Sequence, residues 1–463
     1  MTVMPHWLSK QAFLQPNKTA VEYMGESSVT FRELERKSKH MAGVLYGKGV
    51  REGDHIALLS PNDPLFLDIV YGLSYLGARV VLLNVRLTTE ELHYQVQDAE
   101  VGKLLFEPSQ SGKALQLEGV VPVVSFADLT DKAADPVLKE EIDLEEVFTM
   151  MYTSGTTGKP KAVMHTYGNH WHSAISSALN LGITPEDKWL LNLPVFHISG
   201  FSTLMKNVIY GMTIDFHTSF DEKEVLLSIK TRGTTMISGV SVMLERLLEE
   251  LEEELPATFR CFLLGGGPAT EYLLEKAREK RVPVFQTYGM TETTSQIATL
   301  SPKDAVRKLG SAGKALATAS LYIDAGDGEV GEIMVAGPMV SAGYYKKTER
   351  EERFFKTGDM GYLDEEGFLY VSGRKKEMII SGGENIYPAE IENALAGIDG
   401  VEEVAVAGLP DETWGEVPAA FVSGERVSRE AIIDRCHQGL AGISIRPISF
   451  TYPACRGTPR IKC

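Results

Sequence analysis

The side chains best suited to chemistry cluster in MYTSGTTGKPKAVMHT, from Met151 to Thr166. Thr153, Ser154, Thr156 and Thr157 bring hydroxyls, Gly155 and Gly158 leave backbone N–H groups bare, and Lys159 or Lys161 adds positive charge. Bare N–H groups closing around oxygens beside a cation suit a phosphate. The loop is not a Walker A sequence, because two residues separate Gly155 from Gly158 and Pro160 follows Lys159. So dense a run of Ser, Thr and Gly reads as a phosphate cradle of another design.

Further motifs follow in order: LLGGGPA (263–269), YGMTE (288–292), KTGDMGYLDEEGFLYVSGRKKEMI (356–379) and GGENIYPAEIE (382–392). Together with YTSGTTGKPKAV they resemble the signatures of the adenylate-forming enzymes, the superfamily of acyl-CoA synthetases, luciferases and peptide-synthetase adenylation domains. The resemblance runs to about Gly442. It implies a carboxylate attacking the α-phosphate of ATP to give an acyl-adenylate, which the thiol of coenzyme A opens to a thioester. Such phosphoryl chemistry is mostly positioning and charge neutralisation.

On this resemblance, Thr153, Ser154, Gly155, Thr156, Thr157, Gly158 and Lys159 cover the β- and γ-phosphates. Thr291 touches the α-phosphate, and Glu292 holds Mg2+, for which a carboxylate oxygen is a natural ligand. Gly265, Gly266 and Gly267 permit close backbone approach by flat groups, both adenine and an acyl chain, and Tyr288 belongs to the nucleotide-binding set. Asp359 accepts from both ribose hydroxyls, as one carboxylate can, with Arg374 nearby. Lys376 aligns with the hinge about which a small C-terminal domain swings. Gly382 and Gly383, in SGGENIYP, line the coenzyme A entrance in the second state.

The acid is addressed by LNLPVFHISGFSTLMKNVIYGM. The resemblance sets His197 at the mouth of the acyl pocket, where an imidazole can orient a carboxylate. Lys206 is a lone cation in apolar surroundings; facing the pocket, it calls for a substrate with a second anion, and snorkelling along a helix is the alternative. The wording of HTYGNHWHSAISSALNLGI, FHISG, KNVIYGMT and KLGSAGK is similar to the o-succinylbenzoate–CoA ligases of bacterial menaquinone synthesis. Ser295 and Gln296 are expected near the keto group or aryl carboxylate. Another aryl- or acyl-CoA ligase, and a catalytically dead nucleotide-binding relative, stay open as alternatives. His165, His170 and His172 invite a metal, with His170 and His172 sharing a strand face, but no carboxylate or cysteine lies beside them and no zinc site is expected.

Elements must hold these groups in place. Short apolar runs (HIALLS, ARVVLLN, KLLFEP, KWLLNLP, MTIDFH, TTMISGV, RCFLLGGG, PVFQTYG) alternate with helical patterns, which predicts α/β sheets with helices packed on them. The stripe Phe31, Leu34, Met41 and Leu45 marks one helix, and the acidic LLEELEEELP reads as a solvated helix stopped at Pro256. The texture changes near YLDEEGFLYVSGRKKEMIISGGENIYP. We therefore expect a large N-terminal domain of packed α/β subdomains over 1–375 and a small mobile α+β domain over 376–463, with strands at EEVAVAGLP and AAFVSG and a last helix at SREAIIDRCHQGLAG.

The 463 residues carry a net charge of −17, which argues against nucleic-acid partners. The expected partners are small molecules, namely ATP, an aromatic or aliphatic acid and coenzyme A. No leader or membrane span is legible, so a cytoplasmic location is expected, and the sequence leaves a homo-oligomer open.

The last stretch, GISIRPISFTYPACRGTPRIKC, departs from the family pattern, whose terminal lysine segment here would approximate LPRNASNK. Read one base earlier, codons for CRGTPRIKC can spell LPRNASNKV, and those for GISIRPISF can spell the turn before it. A single-base frameshift at or before Gly442 is the expected origin of the tail, and resequencing that codon decides it. Lys462 has the wrong neighbours to take the catalytic role, so the expectation is impaired adenylation.

Overall fold

Each of the eight apolar runs quoted above is a strand in the computed structural model. It describes residues 2–130, 132–153, 159–267, 269–305, 307–347, 353–381, 384–398, 400–411, 415–424, 432, 435 and 450–451. Strands His55–Leu59, Arg79–Leu83, Lys103–Phe106 and Val123–Ser125 run parallel. All five residues of His55–Leu59 are buried, as expected where helices cover both faces of a parallel sheet. Val147–Thr153 joins them in parallel, and Lys161–Thr166 and then Gly343–Tyr344 extend the edge antiparallel, completing seven strands among the described residues.

A second sheet of nine strands holds Val284–Met290, Cys261–Leu264, Met236–Gly239, Lys188–Leu191, Thr213–Phe216 and Thr19–Tyr23 in parallel order. Its edges are antiparallel: Ser295–Leu300 and Lys314–Ala315 on one side, Ser27–Thr30 on the other. The largest apolar cluster draws on both sheets and on the helices Phe31–Gly47, Pro64–Leu76 and Ile198–Tyr210. Phe31–Gly47 is the predicted striped helix, begun by a reciprocal cap in which Thr30 Oγ1 accepts from Glu33 N and Glu33 Oε2 accepts from Thr30 N.

Next comes an antiparallel sheet of Ser320–Asp324, Gly331–Ala336, Phe355–Leu363 and Leu369–Arg374. The DEEG stretch turns its last hairpin, with Asp364 Oδ1 accepting from the N–H groups of Glu366 and Phe368. The chain leaves this sheet at Arg374 and enters another at Ile379. There Ile379–Ser381, Glu384–Ile386, Val401–Asp411 and Gly415–Gly424 form an antiparallel sheet, joined in parallel by Phe450–Thr451. The helix Pro388–Ala396 packs on it through Ile391 and Leu395. The architecture is mixed α/β, a large N-terminal domain followed by a smaller C-terminal one.

Two expectations are corrected. The acidic helix spans Ser241–Glu250 and stops before Leu251, which is buried in an extended conformation, so LEEELP is not helical. His170 and His172 share no strand face: both lie on the helix Tyr167–Leu181, where residues two apart point away from each other. The expected last helix and the tail lie outside the described residues, apart from Ile432, Arg435 and the strand Phe450–Thr451. Among the described residues no helix is long and apolar enough to cross a membrane.

Candidate active site

The strands Val147–Thr153 and Lys161–Thr166 are a hairpin, with Thr153 opposite Lys161 at its tip. The phosphate-cradle sequence is the connection between them, and Ser154, Gly155, Thr156, Thr157 and Gly158 lie outside the described residues. Thr153 projects across to the YGMTE turn, its hydroxyl 3.4 Å from Glu292 Oε1. Lys159 is exposed with its ammonium 5.6 Å from the ring centre of Tyr94, and Lys161 lies 5.2 Å from that of Tyr344. The Thr153 hydroxyl and the two lysines thus lie at one end of the hairpin, the hydroxyl near a carboxylate 139 positions away in sequence.

Thr291 and Glu292 sit on a single 3-10 turn, Thr291–Thr293, between two antiparallel strands. The backbone around it is unusual: Thr294 has φ 53° and Ser295 φ 118°, in the region that β-branched and other L side chains avoid. Gly289 is required, since a Cβ there would overlap the carbonyl oxygen of Ser295. The turn is fastened from several sides. Thr293 Oγ1 donates to Ser295 O at 2.6 Å, Thr294 Oγ1 to Met339 O at 2.7 Å, and Ser173 Oγ to Thr294 O at 2.6 Å. Ser341 N donates to Glu292 O at 2.7 Å, and His165 Nε2 lies 2.8 Å from Thr291 O. Strained turns of this kind persist where their surroundings over-determine them.

Glu292 Oε1 also accepts from the hydroxyl of Tyr344 at 2.9 Å. Burial, then the neighbouring carboxylate, raises the phenol's pKa, so it stays a donor. Sequence reasoning missed Tyr344; the GYY that contains it offers no chemistry until the edge strand Gly343–Tyr344 is placed beside the hairpin.

Asp359 is 4% exposed. Its Oδ2 accepts from Tyr288 Oη at 2.6 Å and its Oδ1 pairs with Arg374 Nε at 2.9 Å, Arg374 being its cross-strand neighbour. Burial raises the pKa of Asp359 despite these partners, and it raises that of Tyr288 as well. Three residues chosen from two separate motifs therefore converge. Gly265 is half-buried beside Thr287, and Gly266 and Gly267 are exposed at the end of Cys261–Leu264. Lys376 is exposed in the connection from Arg374 to Ile379, and Gly382 and Gly383 lie outside the described residues.

Lys206, on the helix Ile198–Tyr210, is 2% exposed. Its ammonium stands 4.4 Å from the ring centre of Trp189, and no carboxylate among the described residues pairs with it. Burial lowers its pKa to about 8, an effect the nearby Cys261 partly opposes. The alternative of snorkelling to solvent is overturned. His197 precedes the same helix and is exposed; desolvation by its neighbours, then the charge of Arg86, lowers its pKa. Gly200 lets the helix close on the preceding loop, because a Cβ would overlap the carbonyl oxygen of Pro194.

Asn62, which sequence reasoning also missed, pins that loop: its amide donates to Leu193 O and His217 O at 3.1 Å and accepts from Val195 N at 2.9 Å. Gln296 is buried and already engaged, its amide nitrogen donating to Ser177 and its oxygen accepting from Thr299. Ser295 is half-buried in the strained turn. Among the described residues no group of three or more His, Cys, Asp or Glu could hold a metal by itself.

Comparison with known proteins gives the family. Residues 8–345 match the AMP-binding enzyme family, and residues 390–451 match the AMP-binding enzyme C-terminal domain, a match that continues past Gly442. The chain is 51% identical over 430 residues to the 2-succinylbenzoate–CoA ligase of Oceanobacillus iheyensis, covering 90% of this chain and 89% of that one. It is similar in structure to the o-succinylbenzoate CoA synthetase of Bacillus subtilis in complex with the acyl-adenylate intermediate OSB-AMP, with a TM-score of 0.93, 45% identity, and coverage of 98% and 95%. Against a double mutant of the same synthetase bound to a product analogue, OSB-NCoA, identity is again 45%, coverage is 97% and 95%, and the TM-score is 0.79.

Proposed function

The chain belongs to the AMP-binding enzyme family, and from that premise we propose that it is an AMP-forming acid–thiol ligase converting 2-succinylbenzoate to 2-succinylbenzoyl-CoA for menaquinone synthesis. Lys206 carries the choice of acid. A buried cation with no carboxylate partner among the described residues is costly unless an anion meets it, and a diacid supplies one while its other carboxylate is activated. His197, at the loop mouth, orients the carboxylate that attacks.

In this reading Thr153, the cradle residues 154–158 and Lys159 hold the β- and γ-phosphates, and Thr291 meets the α-phosphate. Glu292 would hold Mg2+, which supplies charge neutralisation to the phosphates; the orientation of its carboxylate by Tyr344 and Thr153 through one oxygen suits that task. Asp359, braced by Tyr288 and Arg374, takes the ribose hydroxyls, and the glycines 265–267 admit the adenine and acyl groups. Lys376 is the hinge between a domain of residues 1–375 and one of 376–463, with Gly382 and Gly383 reaching coenzyme A after rotation. The difference in TM-score at equal identity supports two arrangements, of which this chain resembles the adenylate-bound one more. The cytoplasm, where ATP and coenzyme A are available, is the fitting compartment.

The tail bears on the rate. A missing electrostatic donor at a reacting centre costs about 3–4 kcal/mol, on the order of a hundred- to a thousandfold. The test is ATP–pyrophosphate exchange driven by 2-succinylbenzoate, with this chain and with a version re-encoded one base earlier from Gly442. Exchange should be weak in the first and stronger by about that factor in the second. Equal rates would remove the argument that the tail impairs adenylation. Tight binding of a supplied acyl-adenylate with no exchange in either version would favour a catalytically dead relative.

A further inference from the structure

Two of the buried histidines that the proposed chemistry does not use lie side by side. His165 is 0% and His170 1% exposed, and the hydroxyl of Thr149, itself fully buried, lies between them. Thr149 Oγ1 is 2.9 Å from His170 Nε2 and 3.2 Å from His165 Nδ1, and His165 Nε2 is 2.8 Å from the carbonyl oxygen of Thr291. These contacts have only one consistent direction. A carbonyl oxygen only accepts, so His165 must carry its proton on Nε2. Its Nδ1 is then an acceptor, so the Thr149 hydroxyl donates to it. The oxygen of Thr149 is left to accept from His170 Nε2–H.

Burial lowers the pKa of His165 to about 4 and that of His170 well below the ordinary histidine value, in agreement with two neutral rings. His170 Nδ1 has no hydrogen-bond partner among the described residues. The chain of donors thus begins at the aromatic cluster of Phe148 and Phe201, whose rings neighbour His170, and terminates on Thr291.

We propose that His170, Thr149 and His165 form a directional hydrogen-bond relay that fixes the carbonyl of Thr291 and so positions the strained turn presenting Thr291 and Glu292 to the nucleotide phosphates. The proposal rests on the nucleotide-binding reading above. Its geometry joins the two sides of the site: Thr149 and His165 belong to the two strands of the hairpin that carries the phosphate cradle, and Thr291 to the opposite sheet. The turn holds Thr294 and Ser295 at positive φ, and the relay is one of the contacts that keeps it there. These are positioning residues: all three are buried, and they act through the Thr291 carbonyl.

Binding rather than turnover tests the relay, so the outcome is independent of the tail. Dissociation constants for AMP and for adenosine are measured by calorimetry on the parent, Thr149→Val, His165→Leu and His165→Gln. Thr149→Val is nearly isosteric, and glutamine keeps an N–H donor for the Thr291 carbonyl. AMP binding should weaken about tenfold in Thr149→Val and His165→Leu, as expected for a broken buried hydrogen bond, while adenosine binding stays within about twofold. His165→Gln should retain most AMP affinity. Equal losses for AMP and adenosine, or unchanged AMP affinity in both Thr149→Val and His165→Leu, would overturn the relay. If His165→Leu does not fold, the contrast between Thr149→Val and His165→Gln decides. A parent that binds neither ligand overturns the nucleotide-binding reading, whereas a parent that binds AMP with unaffected variants overturns the relay alone.

Discussion

A lysine at 2% exposure over a tryptophan ring is a residue that stability alone does not explain. Its pKa, lowered to about 8 by burial, gives a signed expectation. Below that pH the ammonium is charged and attracts the second carboxylate; above it the attraction is lost. Affinity for 2-succinylbenzoate, measured by calorimetry from pH 7 to 9.5, should therefore fall above about pH 8 and approach a tenfold loss per pH unit. Lys206→Met should show weak, pH-independent binding. Stability runs the other way: the folded pKa lies below the unfolded one, near 10.5, so the unfolded chain binds more protons between those values and stability rises with pH across that window. Flat affinity from pH 7 to 9.5 in the parent would end the second-anion argument. The type of this residue was legible in the sequence; its burial was not, because helical periodicity allows a long side chain to reach solvent.

Among the elements, the turn from Gly289 to Ser295 matters most to the site. Its motif was readable as YGMTE, but its shape depends on contacts from Ser173, His165, Met339 and Ser341, which come from three other segments. Gly289→Ala forces a Cβ against the Ser295 carbonyl, so the turn must shift. The variant should lose about 1–3 kcal/mol in urea unfolding, the usual cost of overpacking, together with AMP affinity. An alanine variant as stable as the parent would show that the turn is looser than its hydrogen bonds indicate. The hairpin around the cradle was not foreseen as such: Val147–Thr153 and Lys161–Thr166 read only as the flanks of a loop, and their antiparallel pairing is a tertiary fact. The acidic stretch misled for a different reason, since a charged run favours helix in isolation, whereas Leu251 is drawn into an apolar cluster and ends it.

For the molecule as a whole, the segment from Arg374 to Ile379 links two sheets, and the proposed cycle needs it to rotate. Lys376→Pro would fix φ near −65° at that point. Thioester formation from a supplied acyl-adenylate and coenzyme A should slow by more than tenfold while AMP binding is unchanged; equal thioester rates would place the hinge elsewhere. The sequence by itself determined the alternation of strands and helices, since fully buried parallel strands leave continuous apolar runs, and it determined the family, since cradle and nucleotide motifs are local strings. It also singled out Thr153, Glu292, Tyr288, Asp359 and Arg374 as candidates. Only the tertiary structure decided that Thr153 faces Glu292, that Tyr344 orients the same carboxylate, that Asp359 is bracketed by Tyr288 and Arg374, and that Lys206 is buried. The reason is physical: strand and helix periods act over a few residues, but hydrogen bonds and burial join groups from tens to more than a hundred positions apart, and their partners exist only once the sheets have paired.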